Sequence, residues 1–357
     1  MQLPEMPAGL TPEWLTATLR TRGILEHATI AAVQQTQVGD GTGMMSELCR
    51  LNLTFEGDPE GFPNSLIAKF PCQNQTNREV AMAFNLYERE VRYFAEINAQ
   101  TPAYSPPAYF TAMEGSNFII LMQDMAAYRV GDQAAGASLE DTVGAVDELA
   151  KLHGSLWGRV DHLDWVPHIA DSYHADNMFN MCATGWSNMC EIFKDYLDPS
   201  IPPRGTAFQN VLARLQTAMN QTPVTFLHGD FRMENLFFGT QPGHQAVAII
   251  DWQGPLRGRG MVDVALMLGQ STRTDVRREH EQMLTARYAA GLRDMGIEYT
   301  DTQAWEEYRL ALLYNWVYVS VVAGTLDVHN ERAFAWMSQM VARQSQASLD
   351  LDVFSLM

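Results

Sequence analysis

VTFLHGDFRMENLFFG, residues 224–239, and AVAIIDWQGP, residues 246–255, carry the pattern on which the reading of this chain turns. An apolar strand, 224–228, brings His228-Gly229-Asp230 to its end, and Asn235 follows shortly after. Two further short apolar runs, 235–238 and 246–250, read as a hairpin that delivers Asp251. Strand ends let polar groups converge while the apolar runs stay buried. A single Asp or Asn after a strand is ordinarily a turn former or a cap. Asp230, Asn235 and Asp251 together form a chemical set: one carboxylate that can orient a hydroxyl, and two hard oxygen donors of the kind magnesium takes.

Working outward, residues 30–38 and 45–55 are rich in Val, Thr, Leu and Phe and flank Gly39-Asp40-Gly41-Thr42-Gly43, a strand, glycine turn and strand. SLIAKF, residues 65–70, reads as a third strand ended by Pro71. From Arg78 to Ile97 the pattern is helical, with Phe84, Tyr87, Val91 and Phe94 recurring at three- or four-residue intervals. Two strands follow near 108–113 and 117–123, separated by Glu114-Gly115-Ser116. The order β-β-β-α-β-β predicts a small antiparallel sheet with one helix packed on it. Before it, Thr11-Pro12-Glu13 is a helix start, with Thr11 as cap and Pro12 at the first helical position.

After Asp124 the composition changes. Residues 138–157 form a helix capped by Ser138, residues 172–197 are rich in Met and aromatics, and the chain from about 261 onward is helical. The 357 residues exceed the ~250–300 at which single cores stop growing, so two domains are expected, 1–123 and 124–357.

Acidic residues number 42 against 24 basic ones, a formal charge of -18. That balance lacks the basic footprint that neutralises a phosphate backbone, so no nucleic-acid partner is expected. Cys49, Cys72, Cys182 and Cys190 form no Cys-x-x-Cys pair and no zinc-ligand spacing. Their number suggests a reducing compartment. With no signal-like start and no apolar run of ~20 residues, a cytoplasmic protein that does not enter membranes is the expectation.

Phosphoryl transfer needs little covalent help: a carboxylate to orient the attacking hydroxyl, metal ligands on the phosphates, and a cation on the transferring group. Asp230 suits the first role, and Asn235 and Asp251 the second. The His-Gly-Asp-x-x-x-x-Asn and Ile-Ile-Asp-Trp-Gln segments resemble the catalytic and metal motifs of the aminoglycoside phosphotransferase and choline kinase superfamily, distant relatives of protein kinases. Within it the chain is most similar to the ecdysteroid-kinase-like branch. The similarity rests further on Ser46-Glu47-Leu48-Cys49-Arg50 after the glycine turn, on Tyr87 through Phe94, on Gly131-Asp132-Gln133, and on Leu149 through His153 with Trp157.

That resemblance implies an α+β, two-lobed protein-kinase-like fold, with a small antiparallel-sheet N-lobe and a mainly helical C-lobe, using ATP and Mg2+. Residue by residue it implies Asp230 as catalytic base, Asn235 and Asp251 as magnesium ligands, Lys69 on the α/β-phosphates and Glu90 as its ion-pair partner. Gly39, Gly41 and Gly43 resemble the phosphate-covering turn, with Ser46 adding a hydroxyl. Residues 123–125, with Gln123 and Met125, resemble the hinge that meets adenine, with the nucleotide in the cleft nearby. Arg232, two residues past the base, is assigned from position as a transition-state cation. His-Gly-Asp in place of the His-Arg-Asp of protein kinases favours a small-molecule acceptor.

Each residue also has a plainer reading. Glu88 competes with Glu90 for Lys69, because residues two apart on a helix face different ways. His228 and Asp263 read as loop braces and His153 as a packed helix residue. Met178, Phe179, Met181, Trp186 and Met189, like Tyr314, Trp316 and Tyr318, are core by default and acceptor-lining in the alternative. The expected activity is phosphorylation of a small alcohol, with an apolar alcohol such as a sterol or polyketide set against an aminoglycoside- or choline-like cation. A catalytically silent nucleotide-binding regulator and a metal-dependent hydrolase are the other classes.

Overall fold

The computed structural model describes residues 3–39, 45–326, 328 and 330–357. The chain forms two compact units, the first made of Met1–Gln100, Ser105–Tyr128 and Ile250–Gly254, the second of Thr101–Tyr104, Arg129–Ile249 and Pro255–Met357. Asp251 therefore belongs to the N-terminal unit although it lies late in the sequence.

In that unit, helix α1 (Pro12–Thr21) opens as expected, with the Thr11 side chain accepting from the Trp14 amide and Pro12 in the first turn. Strands β1 (Thr29–Val38), β2 (Ser46–Glu56), β3 (Ser65–Pro71), β4 (Ala108–Glu114) and β5 (Asn117–Gln123) make one antiparallel sheet in the order β1-β2-β3-β5-β4. The sheet has a helix layer on each side, where the pattern predicted one. Ala68, Phe70, Ile119 and Leu121 join a core with Trp14, Leu15 and Leu19 of α1. Phe118, Ile120 and Met122 join Ala81 and Tyr87 on the other face. Successive strand residues face opposite ways, so Lys69, between Ala68 and Phe70, is aimed away from α1.

The predicted helix over 78–97 is broken. It runs as α2 (Gln75–Ala83) and α3 (Leu86–Arg92), followed by a π-helical turn over Tyr93–Ile97. The break is at Asn85, whose φ of 54° is left-handed, a conformation short polar side chains tolerate.

The second unit begins with the short strand β6 (Arg129–Val130) and the helices α4 (Leu139–Leu156), α5 (Ser172–Ile192) and α6 (Gly205–Met219). Strands β7 (Thr225–Leu227), β8 (Leu236–Phe238), β9 (Val247–Ile249) and β10 (Leu256–Gly258) follow, β6-β8-β9 and β10-β7 forming two small sheets. Helices α7 (Met261–Leu266), α8 (Thr274–Asp294), α9 (Asp301–Tyr314), α10 (Trp316–Thr325) and α11 (Glu331–Asp350) complete it. Among the described residues no helix is long and apolar enough to cross a membrane. Helix α5, rich in Met and aromatics, packs along α10 with backbones nearly touching: a methyl at Gly185 would overlap the Ser320 carbonyl oxygen, and one at Gly324 the Gly185 carbonyl.

Candidate active site

In the N-terminal unit the structure brings Lys69, Glu90 and Asp251 together. Lys69 Nζ is 2.7 Å from Glu90 Oε1 and 3.0 Å from Asp251 Oδ1. Glu90 is fully enclosed, whereas Glu88 is exposed and lies 3.5 Å from Arg92, so Glu90 and not its neighbour meets the lysine. Burial works against the Lys69 ammonium, but Asp251 and Glu90 outweigh it and hold the amine above its ordinary range. Burial raises the Glu90 carboxyl, Lys69 lowers it, and the Asp251 charge raises it further, with a net upward result. Both directions describe one buried lysine shared by two carboxylates.

Asp251 takes a left-handed backbone, φ 65°. The next two residues hold it there. Trp252 is buried and stacks on Tyr93, ring centroids 3.7 Å apart, and its indole N–H donates to Ser105 at 3.1 Å. Gln253 lies near enough to Glu90 to favour its charged form, although neither Glu90 Oε2 nor Gln253 Nε2 reaches hydrogen-bonding geometry with a partner.

Ser46 is buried at the start of β2, opposite Pro71 of β3. Gly39 has φ 73°, a backbone shape that favours glycine, while Gly41 and Gly43 lie outside the described residues. The Gln123 amide donates to the Pro107 carbonyl at 3.0 Å, and the buried Met125 accepts from the Tyr128 amide at 2.9 Å. Between them Asp124 accepts from Arg50 Nε and from Ser65 Oγ, both at 2.6 Å, and from the Ala126 amide at 3.0 Å.

In the second unit the strand β7 ends at His228-Gly229-Asp230, and the loop is fixed from behind by Asp263. That fully buried carboxylate accepts from the His228 and Gly229 amides at 2.7 and 3.1 Å. His153 of α4 lies 3.2 Å from it through Nε2 and 2.8 Å from the Tyr288 hydroxyl through Nδ1. Burial first, then nearby charges, push the Tyr288 phenol well up. The Asp263 carboxylate can only accept, which places a proton on His153 Nε2, and in that neutral tautomer Nδ1 accepts from the Tyr288 hydroxyl. Gln133 clamps the other end, accepting from the Met233 amide at 3.0 Å and the Ser271 hydroxyl at 2.9 Å. A methyl at Gly131 would overlap the Met233 carbonyl oxygen, so glycine is required there.

Asp230 sits among donors. Asn235 Nδ2 donates to its Oδ2 at 2.9 Å and to its backbone oxygen at 2.8 Å. Arg232 Nε is 3.2 Å from Oδ1, and its guanidinium also meets Glu234 and lies 4.5 Å over the Trp336 ring. Burial opposes the Arg232 charge, yet Asp230, Tyr318 and Glu234 raise its pKa overall. Glu234 is shared with Arg332 at 3.3 Å.

The Tyr318 hydroxyl donates to Asp230 Oδ1. Tyr318 was placed by default in the core with Tyr314 and Trp316. Those two are buried, but Tyr318, two positions on from Trp316, faces another way. The half-turn offset was the available signal. Trp186 and Met189 of the methionine-rich helix are buried, whereas Phe179 is exposed.

A helix-paired lysine beside an aspartate in the sheet unit, with an Asp–Asn loop braced at a strand end in the helical unit, defines a phosphotransferase of protein-kinase-like fold. The sequence model of the ecdysteroid kinase-like family matches residues 40–298, more than half of the chain, and the chain belongs to that family. Among solved structures, the GDP complex of an aminoglycoside 2′-phosphotransferase of type IIIa is similar at TM-score 0.55 and 12% identity, covering 95% of this chain and 98% of that one. A microcompartment-associated aminopropanol kinase matches at TM-score 0.49 and 12% identity, covering 96% of this chain and 100% of that one. An aminoglycoside phosphotransferase from Streptomyces rimosus matches at TM-score 0.44 and 16% identity, covering 85% of this chain and 97% of that one. No protein of curated function matches the sequence.

Proposed function

We propose that this phosphotransferase moves the γ-phosphoryl group of ATP, with magnesium, to a hydroxyl of a small neutral alcohol with an apolar body. The observation that carries the nucleotide half of this reading is the buried Lys69 ammonium held between Glu90 and Asp251. A cation so fixed cannot be serving solubility, and a hydrolase or a silent scaffold has no need of it. It would grip the nucleotide phosphates, with Met125 offering its backbone N–H to the base and the Gly39 turn covering the phosphates.

Asn235 and Asp251 are the residues that would hold magnesium, which would neutralise charge on the phosphates. Their chemistry fits: both offer oxygen, and Asn235 has committed its amide nitrogen to Asp230, leaving its side-chain oxygen for a cation. Asp230 would orient the acceptor hydroxyl and take its proton. Arg232 would lend positive charge next to the base.

The surroundings of Asp230 favour a neutral acceptor over a cationic one. The adjacent carboxylate, Glu234, is already matched by Arg232 and Arg332, and the remaining neighbours are the aromatic Tyr318 and Trp336. Among the described residues, an amino sugar would find no unmatched negative charge in these contacts beyond the base itself.

The test is a phosphorylation screen of a metabolite library with Mg-ATP, using Asp230→Ala as the blank. The expected product is a phosphate ester of a neutral alcohol, made by the native protein and not by the variant. A full rate in Asp230→Ala would remove the base assignment, and a product set confined to amino sugars would overturn the acceptor class.

A further inference from the structure

The carboxylate of Asp230 accepts from three side-chain donors and is 28% exposed. Its Oδ1 accepts from the Tyr318 hydroxyl and from Arg232 Nε at 3.2 Å. Its Oδ2 accepts from Asn235 Nδ2 at 2.9 Å and lies 3.4 Å from the same Arg232 nitrogen. A carboxylate presents roughly four lone-pair sites, and three donors, one of them the shared Arg232 N–H, take most of them. An incoming hydroxyl, whether of alcohol or of water, competes with these donors for the carboxylate.

Two of the three are tied in place. Arg232 is held between Glu234 and the Trp336 face, and moving it would give up its ion pair and its ring contact together. Asn235 is anchored by a second bond, to the Asp230 backbone oxygen at 2.8 Å. Tyr318 is neutral and half-buried, and its hydroxyl makes this single bond. It is also the only donor of the three whose bond, O–H to carboxylate, is the one a substrate hydroxyl would make.

We infer that Tyr318 fills the acceptor-hydroxyl position on Asp230 while no acceptor is bound, competing with water for the base, and that a bound alcohol takes its place. The inference rests on Asp230 being the base, as proposed above. Water at that position would open a wasteful reaction. Its oxygen would bond to the γ-phosphorus as the bond from phosphorus to the ADP oxygen breaks, and its proton would pass to Asp230 and on to solvent. A phenol held against the carboxylate hinders this without occupying the phosphates.

The phenol is suited to the task. Burial and then the Asp230 charge push its pKa well above ordinary tyrosine, so it stays a donor at working pH. Its helix is set by the close α5–α10 crossing at Gly185 and Gly324, with Asn188 Nδ2 donating to the Gly324 carbonyl at 3.1 Å. Tyr318, Arg332 and Trp336 all lie beyond residue 298, where the family match ends. The stopper is therefore supplied by a part of this chain that the family's sequence model does not match.

The experiment uses the full chain, Mg-ATP and no acceptor, following phosphate release alongside calorimetric Mg-ATP binding. Tyr318→Phe removes only the hydroxyl. Phosphate release should rise about tenfold, the rate equivalent of one hydrogen bond to a charged group. Mg-ATP affinity should stay as in the native protein, and adding Asp230→Asn should cancel the rise. Unchanged or slower release with Mg-ATP binding intact overturns the inference while leaving the proposed function standing. Absence of Mg-ATP binding in the native protein overturns both. Should Tyr318→Phe lose its melting transition, Tyr318→Met, similar in bulk and equally without a donor, carries the same expectation and the same refutation.

Discussion

One lysine serves two carboxylates in this protein: Lys69 Nζ lies 2.7 Å from Glu90 Oε1 and 3.0 Å from Asp251 Oδ1. Glu90 is 1% exposed, so it depends on that ammonium for the solvation its burial removed. Lys69→Met should therefore destabilise the protein by about 3–5 kcal/mol, the usual cost of leaving a buried charge without its partner. The double variant Lys69→Met/Glu90→Gln should recover part of that loss in denaturant unfolding. Equal stability of the single and double variants would show that the pair is not coupled.

Asp251→Ala should remove the effect of magnesium on ATP binding, because a proposed metal ligand is gone while Lys69 keeps Glu90. Calorimetric titrations with and without metal should then coincide for the variant and differ for the native protein. A metal effect that survives the substitution would end the ligand assignment.

The Asp263 carboxylate orders the loop after β7 through the His228 and Gly229 amides. Asp263→Ala leaves two amides and His153 without their acceptor in a fully buried place. A loss of about 3 kcal/mol or more is expected, at 1.5–3 kcal/mol per bond to a charged group, together with a fall in turnover. Measurement of both in the same preparation separates misplacement of the loop from general unfolding.

Gly185→Ala should lower the melting temperature although alanine favours helix by up to about 1 kcal/mol. The added methyl would meet the Ser320 carbonyl of the facing helix, a backbone atom that cannot rotate away. Overpacking of that kind costs about 1–3 kcal/mol. An unchanged or raised melting temperature would mean that the two helices separate freely.

Asp124 gives a pH prediction. Burial would raise its carboxyl, but hydrogen bonds from Arg50, Ser65 and the Ala126 amide outweigh it and hold it below the ordinary 3.8. A depressed carboxyl contributes stability that is complete above its unfolded value and is lost as pH falls through the folded one. The stability difference between the native protein and Asp124→Asn should therefore be constant near neutrality and shrink from about pH 4 downward, close to that 3.8. A difference that grows on acidification would reverse the sign.

Much of this was legible in the sequence. Alternation in the strands carried the sheet, and the two short motifs at 228–235 and 249–253 located the polar set, because strand periodicity and loop spacing are local properties. The break at Asn85 was hidden by a helical period that continues across it. Tyr318 was harder still. It lies 88 positions from Asp230, and its offset from Trp316 says that it faces another way without saying what it faces. The Gly185–Gly324 crossing was silent for the same reason, since close backbone approach depends on a partner helix that the sequence does not point to.

Asp251 stands at φ 65°, a backbone shape that glycine adopts without penalty and other residues at roughly 1–2 kcal/mol. Its charge also works against the ionised form of Glu90. Both disadvantages vanish in Asp251→Gly, at the loss of the 3.0 Å contact with Lys69, which retains Glu90. A thermal screen for hardier variants should accordingly enrich glycine at this position and deliver a robust protein without turnover. Selection for heat resistance in this protein has to be coupled to an activity readout, because the most accessible gain in robustness lies where the chemistry would be lost.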